Sequence, residues 1–346
     1  MGIRYNPKFE RSSRLVYCLT EAQALASWIN HQPVTLSWVA QSQRDALVRL
    51  AHSSTRIEGN PLTLPEVEAL AEGKDLPVEE KTKREVLNYF AALRWIWRSA
   101  PSKIAERTLL KLHRLLTQGV LPKPEVGIYK TKPNAVFSGS RIIYQPPPPE
   151  AAGLLTRSLL SWLNSAAAQK EHTVIVASIA HHRLVSIHPF MDGNGRIARA
   201  LETWLLYRRG FDTHHIFSVD EFFDHDRARY YNEIQNVRKN GDDLTSWLEY
   251  VGEGILETLK KIQVRIRSLS PSPAETKINL VPKQERILQI LAQMPRIGGG
   301  ELSKALGINR SYLSKLLKPL LKAGWILKEG STRSAYYRLR EKTKAG

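Results

Sequence analysis

The chain reads as mainly α, with one small β-hairpin near its middle and a separate winged helix-turn-helix at its C-terminal end. Three observations predict this. Apolar residues recur at helical spacing through most of the 346 residues. One helix-poor stretch, VGIYKTKPNAVFSGSRIIYQPPPPE, carries a glycine turn at Gly139 between apolar runs and ends in four prolines, which is the pattern of a hairpin and its stop. After SLSPSPAET, whose prolines and serines suit neither helix nor strand, the order becomes helix, helix, tight turn, helix, hairpin.

Each element has its own local reason. SQRDALVRLAHSSTRIEGN places Leu47, Leu50, Ala51 and Ile57 on one helix face and stops at Gly59-Asn60. Thr63 and Glu66 have capping-box spacing and start the next helix. KREVLNYFAALRWIWRSA and RTLLKLHRLLTQG are amphipathic helices ahead of the hairpin. Behind it, LTRSLLSWLNSA, HTVIVASIAHHRLVSI, IARALETWLLYRRG and DLTSWLEYVGEGILETLKKIQVRI are helical. KQERILQILAQM and GELSKALGINRSYLSKLLKPLLKAG give three more helices, and WILKEGSTRSAYYRLR alternates around Gly330 as a wing. The expected divisions are an N-terminal helical segment 1–80, a core 81–268, a linker 269–277 and a winged helix-turn-helix 278–346.

Composition narrows the function classes. A single cysteine, Cys18, excludes a disulfide framework and a cysteine-rich zinc site, and favours a reducing, cytoplasmic setting. The N-terminus lacks the apolar core of a signal peptide, and Asn6 breaks the myristoylation pattern. The most apolar run, TVIVASIA, stops at His181-His182, too short to span a membrane. No membrane role is expected. The net charge is +18, and residues from Ser272 onward hold 15 basic against 5 acidic side chains, so more than half the excess lies in the last 75 residues. That concentration points the winged helix toward DNA, with Arg310, Ser311, Tyr312 and Lys315 on its second helix and Lys328 and Arg333 beside the wing.

The densest chemistry lies in HPFMDGNGRIAR, His188 to Arg199. The glycines of DGNG permit close backbone approach and the dihedrals of an anion-binding nest, and the run opens a helix whose N-terminal amides also favour an anion. Arg196 and Arg199 are three apart and can clamp more than one phosphate. Asp192 beside them suits one Mg²⁺ that keeps several waters. Asn194 can donate to a phosphate oxygen, and His188, at a helix end, can accept a proton near neutral pH. Together these residues describe a nucleotide-phosphate transfer site. A Walker loop and a kinase catalytic loop are both missing from the sequence.

HPFMDGNGRIAR resembles the signature of Fic-domain proteins, HPFxDGNGRxxR, with every fixed position matched. The resemblance extends to REVLNYFAAL, to Tyr129-Lys130 and PPPPE at the two ends of the hairpin, to His181, and to RARYYNEI, covering roughly the middle two thirds of the chain. It implies a helical core with the hairpin as a flap over the site, and transfer of AMP from ATP to a protein hydroxyl with pyrophosphate leaving. It implies His188 as general base, Asp192 as ligand of Mg²⁺ (or Mn²⁺), and Asn194 with the Gly193 and Gly195 amides as anion hole. Arg196 and Arg199 would hold the outer phosphates, Phe190 would anchor the loop in the core, and Tyr231 would contact adenine. Glycine at position 195, where the Doc-type phosphorylating branch has lysine, points to adenylylation. Lys130 stands where the family has arginine after the flap's tyrosine, a position tied to the grip on a target.

SSTRIEGN resembles the inhibitory motif of the same family, [S/T]xxxE[G/N], read as Ser54, Glu58 and Gly59. Ser54 and Glu58 share a helix face, Gly59 lets the helix end, and Glu58 is expected to pair bidentately with Arg199 in place of the γ-phosphate. The leading expectation is an autoinhibited adenylyltransferase that modifies another protein or itself. One alternative is a transcription regulator whose Fic core senses nucleotide or only modifies itself. The other is an enzyme that also removes AMP, with Glu58 orienting a water.

Overall fold

The structure, a computed structural model, describes residues 4–32, 36–99, 103–211, 213–268, 280–294, 296–330 and 335–340. The first helix, α1 (Ser13–Asn30), opens with Ser12, whose hydroxyl accepts the amide of Leu15 at 3.1 Å. Helix α2 (Leu36–Ile57) stops where Gly59 turns with φ of 96°, a left-handed value that costs glycine nothing sterically. The expected capping box is formed: the Thr63 amide donates to the Glu66 carboxylate at 2.8 Å and starts α3 (Leu64–Ala71). Helices α4 (Glu80–Ser99) and α5 (Glu106–Thr117) follow and pack on each other.

The hairpin comes next. Strands β1 (Val136–Ser138) and β2 (Arg141–Tyr144) pair antiparallel around Gly139, and Phe137 and Ile142 stand more than half exposed on it. The proline run then leads into α6 (Pro149–Leu163), which takes Pro149 as its first residue, where a missing amide costs no helix bond. After the short α7 (Ala166–Lys170) come α8 (Thr173–Ile187) and α9 (Asn194–Arg208), the central pair. Helix α8 carries apolar residues all round its first half, which suits the interior, and all its residues from Val174 to Ile187 except Arg183 are buried. Trp204 of α9 is fully buried too. Helices α10 (Asp220–His225), α11 (Arg227–Lys239) and α12 (Thr245–Ser268) complete this part, and Trp247 donates its indole N–H to Ser178 O at 2.8 Å.

The winged part consists of α13 (Pro282–Gln293), β3 (Ile297–Gly298), α14 (Gly299–Ala305), α15 (Arg310–Lys322), β4 (Ile326–Glu329) and β5 (Tyr336–Leu339). Its sheet runs β3-β5-β4, all antiparallel. Ile287, Leu291, Leu302, Leu313, Leu320 and Ile326 form its own core. Gly307, with φ of 60°, makes the tight turn between α14 and α15, and the Asn309 side chain caps α15 by accepting the Tyr312 amide at 2.8 Å.

The chain divides into two compact units. Residues 1–31 and 45–263 form one, and residues 32–44 and 264–346 form the other. The segment 1–80 and the core 81–268, expected separately, fall mostly together in the first. The expected linker 269–277 lies outside the described residues, as does Arg333. Among the described residues no helix is long and apolar enough to cross a membrane.

Candidate active site

Helix α8 ends at His188, which takes a left-handed backbone (φ 49°, ψ 56°) and so throws the chain into the loop that leads to α9. Phe190 anchors this loop: it is fully buried and stacks on His113 of α5 with ring centroids 3.8 Å apart. The Gly127 amide donates to His113 Nδ1 at 3.0 Å, so Nε2 carries the proton and donates to Asp192 O at 3.1 Å. Asn194 clasps the loop from within. Its Oδ1 accepts the Phe190 amide at 3.0 Å and its Nδ2 donates to Phe190 O at 2.8 Å. The Asn194 side chain therefore shapes the anion loop, and its terminal amide is already engaged there. Gly193 begins α9 with φ of 79°, and a Cβ on it would meet the Thr117 methyl at 3.0 Å.

Lys130, which stands where the family has arginine after the flap's tyrosine, faces the anion loop. It is buried, donates through Nζ to Asn134 Oδ1 at 2.7 Å, and its amide donates to Pro189 O at 2.9 Å. Asn134 in turn donates to Phe190 O at 2.8 Å. Lys130 braces the loop and offers no exposed ammonium to a partner.

Arg199, fully buried on α9, meets the end of α2. Nε donates to Ser54 Oγ at 2.8 Å, and Nη2 donates to Ser54 O at 2.8 Å and to Glu58 Oε1 at 2.7 Å. Nη1 donates to Tyr230 OH at 3.3 Å. The expected bidentate pair is thus a single Nη2–Oε1 bond. The second half of the fork is taken by Ser54, which holds the arginine rather than the glutamate. Burial opposes the charge on Arg199, but Glu58, Tyr230 and Asp220 around it outweigh this and hold its pKa above the ordinary arginine value. Gly195 gives the Glu58 carboxylate its room, because a Cβ there would run into Oε1.

Arg196, three residues earlier, has different partners. Nη1 reaches Glu85 Oε1 of α4 at 3.3 Å, and Nη2 reaches Asp192 Oδ2 at 3.2 Å. The other oxygen of Glu85 accepts from Asn60 Nδ2 at 2.9 Å, so the turn after α2 is wired to the loop through Glu85. Asp192 is half exposed and also accepts the Gly193 amide at 2.6 Å.

Behind Arg199 lies a buried relay. Tyr230 OH meets His181 Nε2 at 2.9 Å, and His181 Nδ1 meets Glu202 Oε2 at 2.7 Å. Burial pushes the Glu202 carboxyl up and the His181 imidazole down, so the pair is neutral overall and shares one proton. Tyr89 donates to Asp220 Oδ2 at 3.2 Å beside it, and burial raises Asp220 to about 6.

A cleft of about 780 Å³ opens over this machinery, lined by Glu58, His188, Gly195, the flap and one side of α11. His188 Nδ1 lies 3.3 Å from Val185 O, which fixes the proton on Nδ1 and leaves Nε2 as the basic nitrogen. Burial lowers His188 to about 4, so at neutral pH it is an uncharged base. Tyr231 also lines the cleft, but its hydroxyl donates to Ile57 O at 3.0 Å, and Arg227 donates to the same carbonyl at 2.6 Å. These two residues clamp the last turn of the helix that carries Glu58.

Glu85, His113, Tyr230, Glu202 and Asp220 were not picked out by sequence reasoning. Their partners lie far apart in the chain, and only a polar residue on an otherwise apolar helix face hinted at any of them.

Comparison with known proteins agrees with this geometry. Residues 103–206 match the Fic/DOC family model, and residues 280–335 match the MarR family model. The protein adenylyltransferase Fic of Drosophila melanogaster is 31% identical over 224 residues, which is 63% of this chain and 42% of that protein. The corresponding protein of Drosophila willistoni is 30% identical over 228 residues. The chain thus spans less than half the length of the curated relatives it matches. A crystal structure of a Fic family protein from Desulfovibrio desulfuricans superposes with a TM-score of 0.66 over 98% of this chain and all of that one, at 22% identity. A Fic-1 fragment from C. elegans gives 0.63 over 74% of each chain at 24% identity, and at these identities the likeness is one of fold. The chain carries a Fic domain of the Fic/DOC family, followed by a MarR-type winged helix.

Proposed function

We propose that the protein is an autoinhibited adenylyltransferase that transfers AMP from ATP to a hydroxyl of a protein, another chain or its own. The observation that carries this is the occupancy of Arg199: a complete loop from His188 to Arg196 stands ready, and the arginine that would hold the outer phosphate is taken by Glu58. The chemistry follows from the residues. A target O–H loses its proton to His188 Nε2 while its oxygen bonds to the α-phosphorus. The bond from that phosphorus to the bridging oxygen breaks, and pyrophosphate leaves. The amides of Asn194 and Gly195 at the helix N-terminus would receive the phosphates, joined by that of Gly193 once Asp192 releases it, and Arg196 and Arg199 would carry the outer negative charge.

Asp192 is the residue to hold Mg²⁺ or Mn²⁺. Its half-exposed carboxylate on the anion loop suits an ion that would arrive with the nucleotide and keep waters. Such an ion would neutralise the phosphates. Tyr231, with its ring in the cleft, is the candidate contact for adenine. The setting that fits the lone buried cysteine is the cytoplasm.

Incubation with α-labelled ATP tests the reading. Glu58→Gly should label a protein hydroxyl and His188→Ala in that background should not, while still binding ATP. Equal labelling by both would remove His188 as the base.

DNA binding by the C-terminal part is supported by exposed Arg310, Lys315, Lys318, Lys322 and Lys328 on α15 and the wing, beside Tyr312, 41% exposed. Affinity for duplex DNA should fall steeply with rising salt, because each phosphate contact releases a counterion. Absence of binding at low salt would leave this winged helix with a protein partner instead.

A further inference from the structure

The last four carbonyls of a helix have no donor within it. At the end of α8, two of these four receive side chains from two other elements. Leu184 O takes the His188 amide at 3.0 Å. Val185 O takes His188 Nδ1 at 3.3 Å and also Arg238 Nη2 of α11 at 3.4 Å. Ser186 O takes the hydroxyl of Tyr144 at 2.7 Å, and Ser186 Oγ takes Arg238 Nε at 3.4 Å. Tyr144 belongs to β2, and the Arg238 guanidinium carbon sits 3.4 Å from the centre of its ring. A cation so placed also complements the negative end of the α8 dipole.

His188 needs such a hold. Its left-handed backbone (φ 49°) is strained for a residue with a Cβ and persists only where neighbours enforce it. The turn it leaves is the one that Arg238 and Tyr144 grip, and the carbonyl that orients its ring is shared with Arg238.

We infer that Arg238, seated on Tyr144, is a positioning residue that fixes the backbone and ring of His188 for proton transfer and ties the base of the flap to it. The inference rests on the adenylyltransferase reading above. Arg238 acts through its grip on Val185 and Ser186 and through its charge, which faces the imidazole together with Lys130, while Glu58 faces it with the opposite sign.

The test uses the full chain carrying Glu58→Gly, with ATP and Mg²⁺. Arg238→Gln should lower kcat roughly tenfold to a hundredfold, the scale of a misplaced reacting group, with little change in KM for ATP. Arg238→Lys, which keeps the charge, should recover part of the loss. Removing a positive neighbour makes the imidazolium easier to form, so Arg238→Gln should move the acid limb of the rate profile to higher pH, and Arg238→Lys should leave it in place. Unchanged kcat, or a raised KM for ATP with kcat and the acid limb unchanged, overturns the inference. If Arg238→Gln does not fold, Tyr144→Phe takes its place: loss of the hydroxyl on Ser186 O should lower kcat severalfold, and wild-type kcat would overturn the proposal. NMR titration of the His188 ring needs no substrate. If Glu58→Gly transfers no AMP, the functional reading falls, and an upward shift of that titration in Arg238→Gln still supports the assignment while an unmoved one overturns it.

Discussion

Arg196 and Arg199 stand one helical turn apart in α9, are both buried, and live in different surroundings. Arg199 is held by four acceptors, three of which belong to the scaffold: Ser54 Oγ, Ser54 O and Tyr230 OH. The fourth is Glu58, which on the proposed reading stands where an outer phosphate would bind. Arg196 has two acidic partners, Glu85 and Asp192. The difference teaches how a brake can be removable. Losing Glu58 leaves Arg199 aimed by its remaining partners, so the freed donor is presented rather than collapsed. Around Arg196 the nearest acid is the candidate metal ligand itself.

The largest expected effect breaks the Arg196 side. In the Glu58→Gly background, Asp192→Ala should remove nearly all transfer at any Mg²⁺ concentration, since it deletes the carboxylate proposed to hold the ion. Chelator should do the same to the parent, with return on adding Mg²⁺ or Mn²⁺. Full transfer by Asp192→Ala in excess chelator would strip Asp192 of the role.

The next effect is on the Arg199 side. A hydrogen bond to a charged group contributes about 1.5–3 kcal/mol, so Glu58→Gly should raise transfer roughly tenfold to a hundredfold. Arg199→Ala added to it should cancel the gain, because the freed arginine is what produces it. Equal rates for wild type and Glu58→Gly in the α-labelled assay would reduce SSTRIEGN to a helix end and erase the contrast between the two arginines.

How much of this was legible depends on sequence distance. HPFMDGNGRIAR is local, so its geometry follows from its own glycines and helix start. The helices and the hairpin were legible for the same reason: period and turn residues act within a few positions. Ser54 and Glu58 were legible as a pair on one face, but their division of labour on Arg199 was not, because it depends on where α2 crosses α9. The relay of Tyr230, His181 and Glu202 spans 49 residues and three helices, and only packing joins them. The place of Lys130 was not legible either, because its burial depends on Asn134 and on the loop beneath.

The smallest expected effect concerns the wall behind Arg199, and it sharpens what counts as the arginine's counter-charge. Glu202 and Asp220 both face Arg199, yet burial raises both carboxyls, and the Glu202–His181 pair is neutral with one shared proton. On this view Glu58 and Asp220, which at about 6 is still ionised at neutral pH, are the ionic partners, and Glu202 is a hydrogen-bonding one. Glu202→Gln keeps the shape, keeps a donor toward His181 Nδ1 and removes no net charge from the pair. It should therefore cost less than about 1 kcal/mol in thermal or urea unfolding, within the spread of one neutral hydrogen bond exchanged for another, and leave Glu58→Gly transfer near its parent rate. Glu202→Ala should cost more, because it strands His181 Nδ1 in a dry site. If Glu202→Gln instead unfolds the protein or abolishes transfer, Glu202 is ionised in the native state, and a second carboxylate beside Asp220 balances Arg199 from behind.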